Sequence, residues 1–263
     1  MDKFRANPYN LNNRFITSND IVNIMKTLNI DNFKINDISH YQTAFIHKSY
    51  CKLSEYTEYE YPGSHYLPLQ DISYEAMEFL GDSILGSVVC SYLYKRFYGI
   101  HKQNEGFLTK LKIRLVCGEN LCEFSKRIHF QKYLIISNHI EEKCSGRENS
   151  NILEDVFEAF IGALFLDHNY QVAEDFIIRV IEKYFDFTDI LLRDNNYKDQ
   201  ISRYFQQNFG VYPVYKTERI EDIGFRTEIL KEGEIIIQGE GISKKKSEQD
   251  ASKRALIFYN VIT

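Results

Sequence analysis

Tryptophan is missing from the 263 residues, and so is any apolar run near the roughly 18 residues that a membrane-crossing helix needs. No membrane span is therefore expected. The start, MDKFRANPYN, lacks the apolar stretch of a secretory signal. The five cysteines (Cys51, Cys90, Cys117, Cys122, Cys144) are odd in number and form no C-x-x-C pair. That argues against a disulfide scaffold and a zinc site. It points to a reducing interior compartment, the cytoplasm with the nucleus left open. The aromatic share of 14% is all Tyr and Phe. Genomic base composition explains that bias as well as selection on contacts does, and no function is read from it.

An excess of cations is also missing. The net charge of −5 argues against a chain-wide nucleic-acid binder. The charge is uneven, however: the acidic excess lies before residue 195, and residues 195–263 are nearly balanced. A length of 263 residues allows one large or two modest domains. Hydrophobic and charged shares of 44% and 26% are those of a globular chain with a sizeable core.

What is present centres on Tyr74–Val89, YEAMEFLGDSILGSVV. Met77, Leu80, Ile84, Leu85, Val88 and Val89 recur at three- and four-residue spacing, which predicts a helix. Phe79 lies off that stripe, so the helix is apolar on most sides and expected to be buried. Yet Glu78 and Asp82, four apart, share one face. Gly81 between them costs about 1 kcal/mol relative to Ala, and lets another backbone or a bound group come close. A second helix, Ile152–Asp167, capped by Asn151 or Ser150, is apolar on nearly every side. It carries Glu154, Asp155 and Glu158, the last two three apart on one face.

The remaining chain reads as follows. Residues 1–18 form a flexible arm, with Ser18 or Asn19 capping a first helix. A second helix covers ISHYQTAFIHKSY. Residues 52–71 make a long surface loop with alternating Glu and Tyr, and 98–104 a short connection. A helical stretch from Glu105 to Ile128 breaks at Gly118 and places Lys110 and Arg114 four apart. HIEEKCSGRENSN is a charged loop, and VAEDFIIRVIEKYF another helix. An all-α domain over 19–185 and a linker at 186–195 precede a small α+β domain over 196–263. Its order is helix, three strands (212–219, 225–231, 234–239) and helix, with Glu232–Gly233 as a hairpin turn.

The four acids Glu78, Asp82, Asp155 and Glu158 invite a bland explanation. Each could sit on a solvated edge or, on the second helix, favour the N-terminal dipole by about 0.3–1 kcal/mol. Packing both helices together makes that harder, because unpaired burial costs several kcal/mol per ion. Either some stay protonated or cations compensate them. All-oxygen ligands without His suit Mg²⁺, with Mn²⁺ as substitute. A di-iron site would want Glu-x-x-His. Hard cations held by carboxylates suit attack of water at phosphate.

YEAMEFLGDSILG resembles the signature of the ribonuclease III family, and AFIHKSY and GRENSNILEDVFEAFIGALFLD resemble the flanking motifs in the right order. EGFLTKLKIRLVCGENL resembles the intervening helical region. GEGISKKKSEQDASKRAL resembles the end of a double-stranded-RNA-binding domain. The resemblance implies an all-α ribonuclease III endonuclease domain followed by an α-β-β-β-α RNA-binding domain. It implies Glu78, Asp82, Asp155 and Glu158 as metal ligands, Asp82 and Glu158 as the catalytic pair, and Glu75 in support. It implies a homodimer that cuts double-stranded RNA to 5′-phosphate and 3′-hydroxyl ends with short 3′ overhangs, with no membrane and no small-molecule cofactor. His47 and Tyr50 carry no catalytic assignment and read as structural. Lys244, Lys245 and Lys246 are implied to face phosphates, and Ser202 and Gln206, on the first helix of the RNA-binding domain, to bind RNA as well. Two departures stand out: Ser202 and Arg203 replace the usual Gln/Glu type, and RIEDIGFR lacks the usual Gly-Pro-x-His element. The alternative is a noncatalytic RNA-binding protein on a nuclease-like dimer scaffold; such relatives are expected to lose an acid, and none is lost here.

Overall fold

Three- and four-residue apolar spacing becomes helix throughout the first part of the chain. The computed structural model describes residues 7–100, 103–187, 197–221 and 224–262. The chain divides into two units, Met1–Phe185 and Asp186–Thr263. Residues 1–6 of the expected arm and 188–195 of the expected linker lie outside the described residues.

The first unit contains α1 (Ser18–Thr27), α2 (Ile38–Thr43), α3 (Glu75–Leu93), α4 (Glu105–Leu115) and α5 (Gly118–Arg127). It continues with α6 (Asn138–Lys143), α7 (Ser150–Asp167) and α8 (Tyr170–Tyr184). Its core is mostly aliphatic, with a set of aromatic rings packed through its middle. Phe160 lies 4.7 Å from Phe130 and 5.2 Å from Phe176 between ring centroids, and Phe45 packs edge-on against Phe130. Tilted and edge-on pairs of this kind add about 0.5–1.5 kcal/mol each beyond burial.

Several boundaries differ from expectation for identifiable reasons. Thr17, not Ser18 or Asn19, caps α1, and it shares a reciprocal capping box with Asp20. Asn149, not Asn151 or Ser150, caps α7 by accepting from the backbone N–H of Asn151 and Ile152. The region expected as a connection at 98–104 begins as helix: α3 runs on through a π-helical turn, Tyr94–Ile100, because buried Phe97 continues the apolar face. Against the expectation of no span, the 26-residue helix Glu75–Ile100 is long and apolar enough to cross a membrane. One side of it packs against α7, α8 and α4, but only 33% of its apolar window is buried, less than the burial expected, because a whole face that includes Phe79 lies exposed. The helix expected over ISHYQTAFIHKSY stops at Thr43; a 3₁₀ turn, Lys48–Tyr50, follows. The charged loop after Ser137 contains the short helix α6.

The stretch expected as a loose arm is tied down from Tyr9 onward. Asn10 Nδ2 donates to Glu141 Oε2 at 2.8 Å, and Asn13 Nδ2 to the Ile136 carbonyl at 2.9 Å. Arg147 is the clamp. Its Nε donates to Glu141 at 2.8 Å, and Nη1 donates to the Gln131 and Leu134 carbonyls at 3.0 Å each. Its Nη2 reaches the Asn12 carbonyl and Asn13 Oδ1 at 3.3 Å each. The 52–71 loop is closed at its base. Lys52 N–H donates to the Gln70 carbonyl at 2.9 Å, and Leu67 and Leu69 pack on Ile46, Tyr50 and Ile135.

The second unit has α9 (Tyr197–Phe209), β1 (Val214–Ile220), β2 (Gly224–Lys231), β3 (Glu234–Gly241) and α10 (Lys244–Phe258). The antiparallel sheet has the order β1-β2-β3. Glu232 and Gly233 both have positive φ (53° and 93°), as a type I′ hairpin between Lys231 and Glu234 requires. One sheet face and both helices bury Ile201, Phe205, Ile229, Ala251, Ala255 and Leu256.

Candidate active site and nucleic-acid interface

Helices α3 and α7 make the most extensive contact in the described chain, and glycines set how close they come. A Cβ at Gly81 would overlap the backbone carbonyl of Glu158, and one at Gly162 would overlap that of Met77. The glycine between Glu78 and Asp82 thus admits a backbone, and that backbone belongs to Glu158. Gly162, its counterpart, gave no signal in the sequence because it lies inside an unbroken apolar run.

This contact brings the acids of both helices into one field. Burial first, then the charges of Asp82, Glu154, Glu78 and Asp155, pushes the Glu158 carboxyl up to about 8. Burial, then Asp155 and Glu75, raises Glu78, and Lys48 opposes the shift. Burial also raises Asp155, against the hydrogen bond from Tyr74 and the charge of Lys48. Glu154, unassigned in sequence, is raised by burial and by Asp155 and Asp82. Asp82 is exposed, which leaves the cluster open on that side.

Among the described residues, no three His, Cys, Asp or Glu side chains converge closely enough to hold an ion as they stand. The donor set still fits a hard divalent cation: all ligands are carboxylate oxygens, and their mutual repulsion favours a compensating positive charge.

Three residues at this site carried no assigned role in the sequence. Buried Tyr74 donates its hydroxyl to Asp155 Oδ2 at 2.8 Å and fixes that carboxylate. Lys48 Nζ lies 3.0 Å from Glu75 Oε1. Glu154 points at the start of α5, where a Cβ on Gly118 would overlap its carboxylate. Tyr74 and Lys48 both stand inside the family-like motifs, which was their only signal. His47, read as structural, is half-buried; burial and then Lys48 lower it to about 4, so its ring is neutral near pH 7.

In the second unit, Lys244, Lys245 and Lys246 are all exposed in the first turn of α10, behind the cap Ser243. Cations stacked on free helix N–H groups make an anion site. Gln206 is exposed on α9. Ser202 Oγ donates to the Lys198 carbonyl at 2.8 Å, so its proton is used within the helix. Arg203 pairs with Asp199 at 3.1 Å. Lys110 and Arg114 are exposed on α4. The RIEDIGFR loop lies partly outside the described residues, at 222–223.

Carboxylates on two closely packed helices, with a separate domain that carries lysines at a helix start, are the parts of an enzyme that acts on nucleic acid. Residues 37–184 match the family model described as ribonuclease-III-like, and 197–258 match the double-stranded RNA binding motif. The chain is 36% identical over 224 residues to ribonuclease 3 of Enterococcus faecalis, covering 84% of this chain and 90% of that one. A probable ribonuclease 3 of Acanthamoeba polyphaga mimivirus is also 36% identical, over 199 residues; the match spans only 35% of that relative. The solved nuclease domain of ribonuclease III from Campylobacter jejuni aligns with 63% of this chain and 96% of its own. That alignment has 26% identity and a TM-score of 0.50. The chain belongs to the ribonuclease III family, with the nuclease domain first and the RNA-binding domain second.

Proposed function

We propose that this chain is a divalent-metal-dependent endoribonuclease. It cuts double-stranded RNA to 5′-phosphate and 3′-hydroxyl ends with short 3′ overhangs, and it works as a homodimer. The observation that carries the reading is the single electrostatic cluster of Glu78, Asp82, Asp155 and Glu158 at the α3–α7 contact. Mg²⁺, or Mn²⁺ in its place, held by those carboxylates would activate water for attack at phosphate and stabilise the leaving oxygen. The chain's own share is positional. The glycine contact fixes the spacing of the two acid pairs, and the Tyr74 hydroxyl orients Asp155. Asp82 and Glu158, one on each helix, face each other's charge as the catalytic pair. The lysines of α10 supply the backbone contacts by which duplex RNA is read largely through its shape.

A stripe of uncharged exposed residues on α3 supports the homodimer. It runs through Ala76, Phe79, Ser83, Ser87 and Cys90, and continues to Tyr94. Phe79 is 78% exposed, and an interface over this stripe would remove its apolar surface from water. Exposed free thiols at Cys90 and Cys144 support a reducing location, cytoplasm or nucleus.

Long duplex RNA incubated with Mg²⁺ and either wild type or Glu158→Gln tests the reading. Wild type is expected to cut and the variant only to bind. If both bind and neither cuts, the noncatalytic alternative replaces the enzyme. A monomeric mass by light scattering would remove the homodimer alone.

A further inference from the structure

The motif AFIHKSY is built into the site more firmly than a structural spacer needs to be. Tyr74 N–H donates to the Ile46 carbonyl at 2.9 Å, and His47 N–H to the Ile135 carbonyl at 3.0 Å. His47 Nδ1 accepts from Ser49 N–H at 3.1 Å, and Ser49 Oγ accepts from Ser137 N–H at 3.0 Å. The segment is thereby stitched to the start of α3 on one side and to residues 135–137 on the other. Between those stitches it projects Lys48. That side chain is 66% exposed, and Tyr74, whose N–H holds this segment, donates its hydroxyl to Asp155, which sets Lys48 beside the acids of α3 and α7. Its ion-pair partner Glu75 is 53% exposed and also accepts from Ser73 Oγ at 3.3 Å.

We propose that Lys48 is a phosphate-binding residue of the catalytic site. On this view it exchanges Glu75 for a non-bridging oxygen of the RNA backbone beside the carboxylate cluster. A polyanion brought against clustered carboxylates is favoured by a cation on the protein at that edge, and the bonds on either side of Lys48 hold its backbone there. An exposed ion pair contributes little to stability, so giving up Glu75 opposes the exchange only weakly. Glu75 then acts as a placeholder that keeps the ammonium aimed at the cluster before RNA arrives. The proposal rests on the RNA-cleaving reading.

The test measures binding of full-length protein to duplex RNA with Mg²⁺ present, in a Glu158→Gln background that prevents cutting. Lys48→Met, Lys48→Arg, Glu75→Gln and Lys48→Met/Glu75→Gln are compared across salt concentration. Lys48→Met is expected to weaken binding roughly 3- to 10-fold at low salt and to lower the log–log salt slope by about 0.9, one phosphate contact. Lys48→Arg restores both, and Glu75→Gln binds as well as its parent or better. The double variant matches Lys48→Met. Unchanged affinity and slope in Lys48→Met would overturn the proposal. So would equal weakening by Lys48→Met and Glu75→Gln, which would make Lys48 only a support for Glu75. If the parent fails to bind duplex RNA, the reading beneath the proposal falls and the proposal with it.

Discussion

Replacing Glu158 with Gln keeps the size of the side chain and removes its charge. It should abolish cleavage yet stabilise the metal-free protein. Burial, and then four neighbouring acids, raise the Glu158 carboxyl from the ordinary 4.5 to about 8. The folded state therefore binds this proton more tightly than the unfolded chain, and stability falls as pH rises between those values. At about 1.36 kcal/mol per pH unit, the gap is worth at most about 5 kcal/mol. Water reaches part of this half-buried carboxyl, and screening reduces the figure to roughly 1–3 kcal/mol. That corresponds to roughly 3–8 °C in Tm for a domain of this size. The assay is thermal unfolding in EDTA. Wild type and Glu158→Gln should nearly coincide at about pH 5 and separate by that amount at about pH 8.5, with the variant higher. Added Mg²⁺ should raise wild type more than the variant. A variant less stable than wild type at the higher pH would refute the reasoning, because Glu158 would then be a net stabilising charge.

Three further outcomes follow from the geometry. Gly81→Ala forces a methyl into the Glu158 carbonyl; it should cost at least about 2 kcal/mol in urea unfolding and depress cleavage, whereas an exposed helical Gly→Ala stabilises by about 1 kcal/mol. Arg147→Ala leaves the Gln131 and Leu134 carbonyls without their donor and Glu141 without its cation. The loss should be about 2–4 kcal/mol, with proteolytic nicking moving into residues 7–17. His47 is held neutral down to about 4 by burial. The unfolded chain binds that proton first as pH falls from about 6.5, so stability drops between about pH 6.5 and 4. His47→Gln should flatten that part of the pH–Tm curve.

The acid pairs were legible because they break an apolar pattern: Glu78 and Asp82 on α3, and Asp155 and Glu158 on α7, are charges where burial was expected. Gly81 was legible for the same reason, as a glycine in a helix that prefers Ala. Gly162 makes the reciprocal contact but sits among apolar neighbours that give it no contrast. The Arg147 clamp was invisible because its partners are backbone carbonyls up to 135 positions away, or side chains up to 134 away. The caps Thr17 and Asn149 fell just before the residues chosen, since several polar residues precede each helix and only backbone geometry selects one. The end of α3 was missed because Tyr94–Ile100 mixes charge with Phe97, whose burial depends on partners elsewhere in the fold. In the 52–71 loop, alternating Glu and Tyr suggested solvent throughout, but Leu67 and Leu69 tie its base to the core.

The two acidic helices are proposed to form one metal site. Calorimetric titration of the full-length protein with Mn²⁺ tests it most directly, on wild type, Asp82→Asn and Glu158→Gln, without RNA. Saturable binding in wild type, lost or weakened at least about 10-fold when an acid on either helix is changed, is the predicted result. Binding that survives both substitutions unchanged would contradict the account.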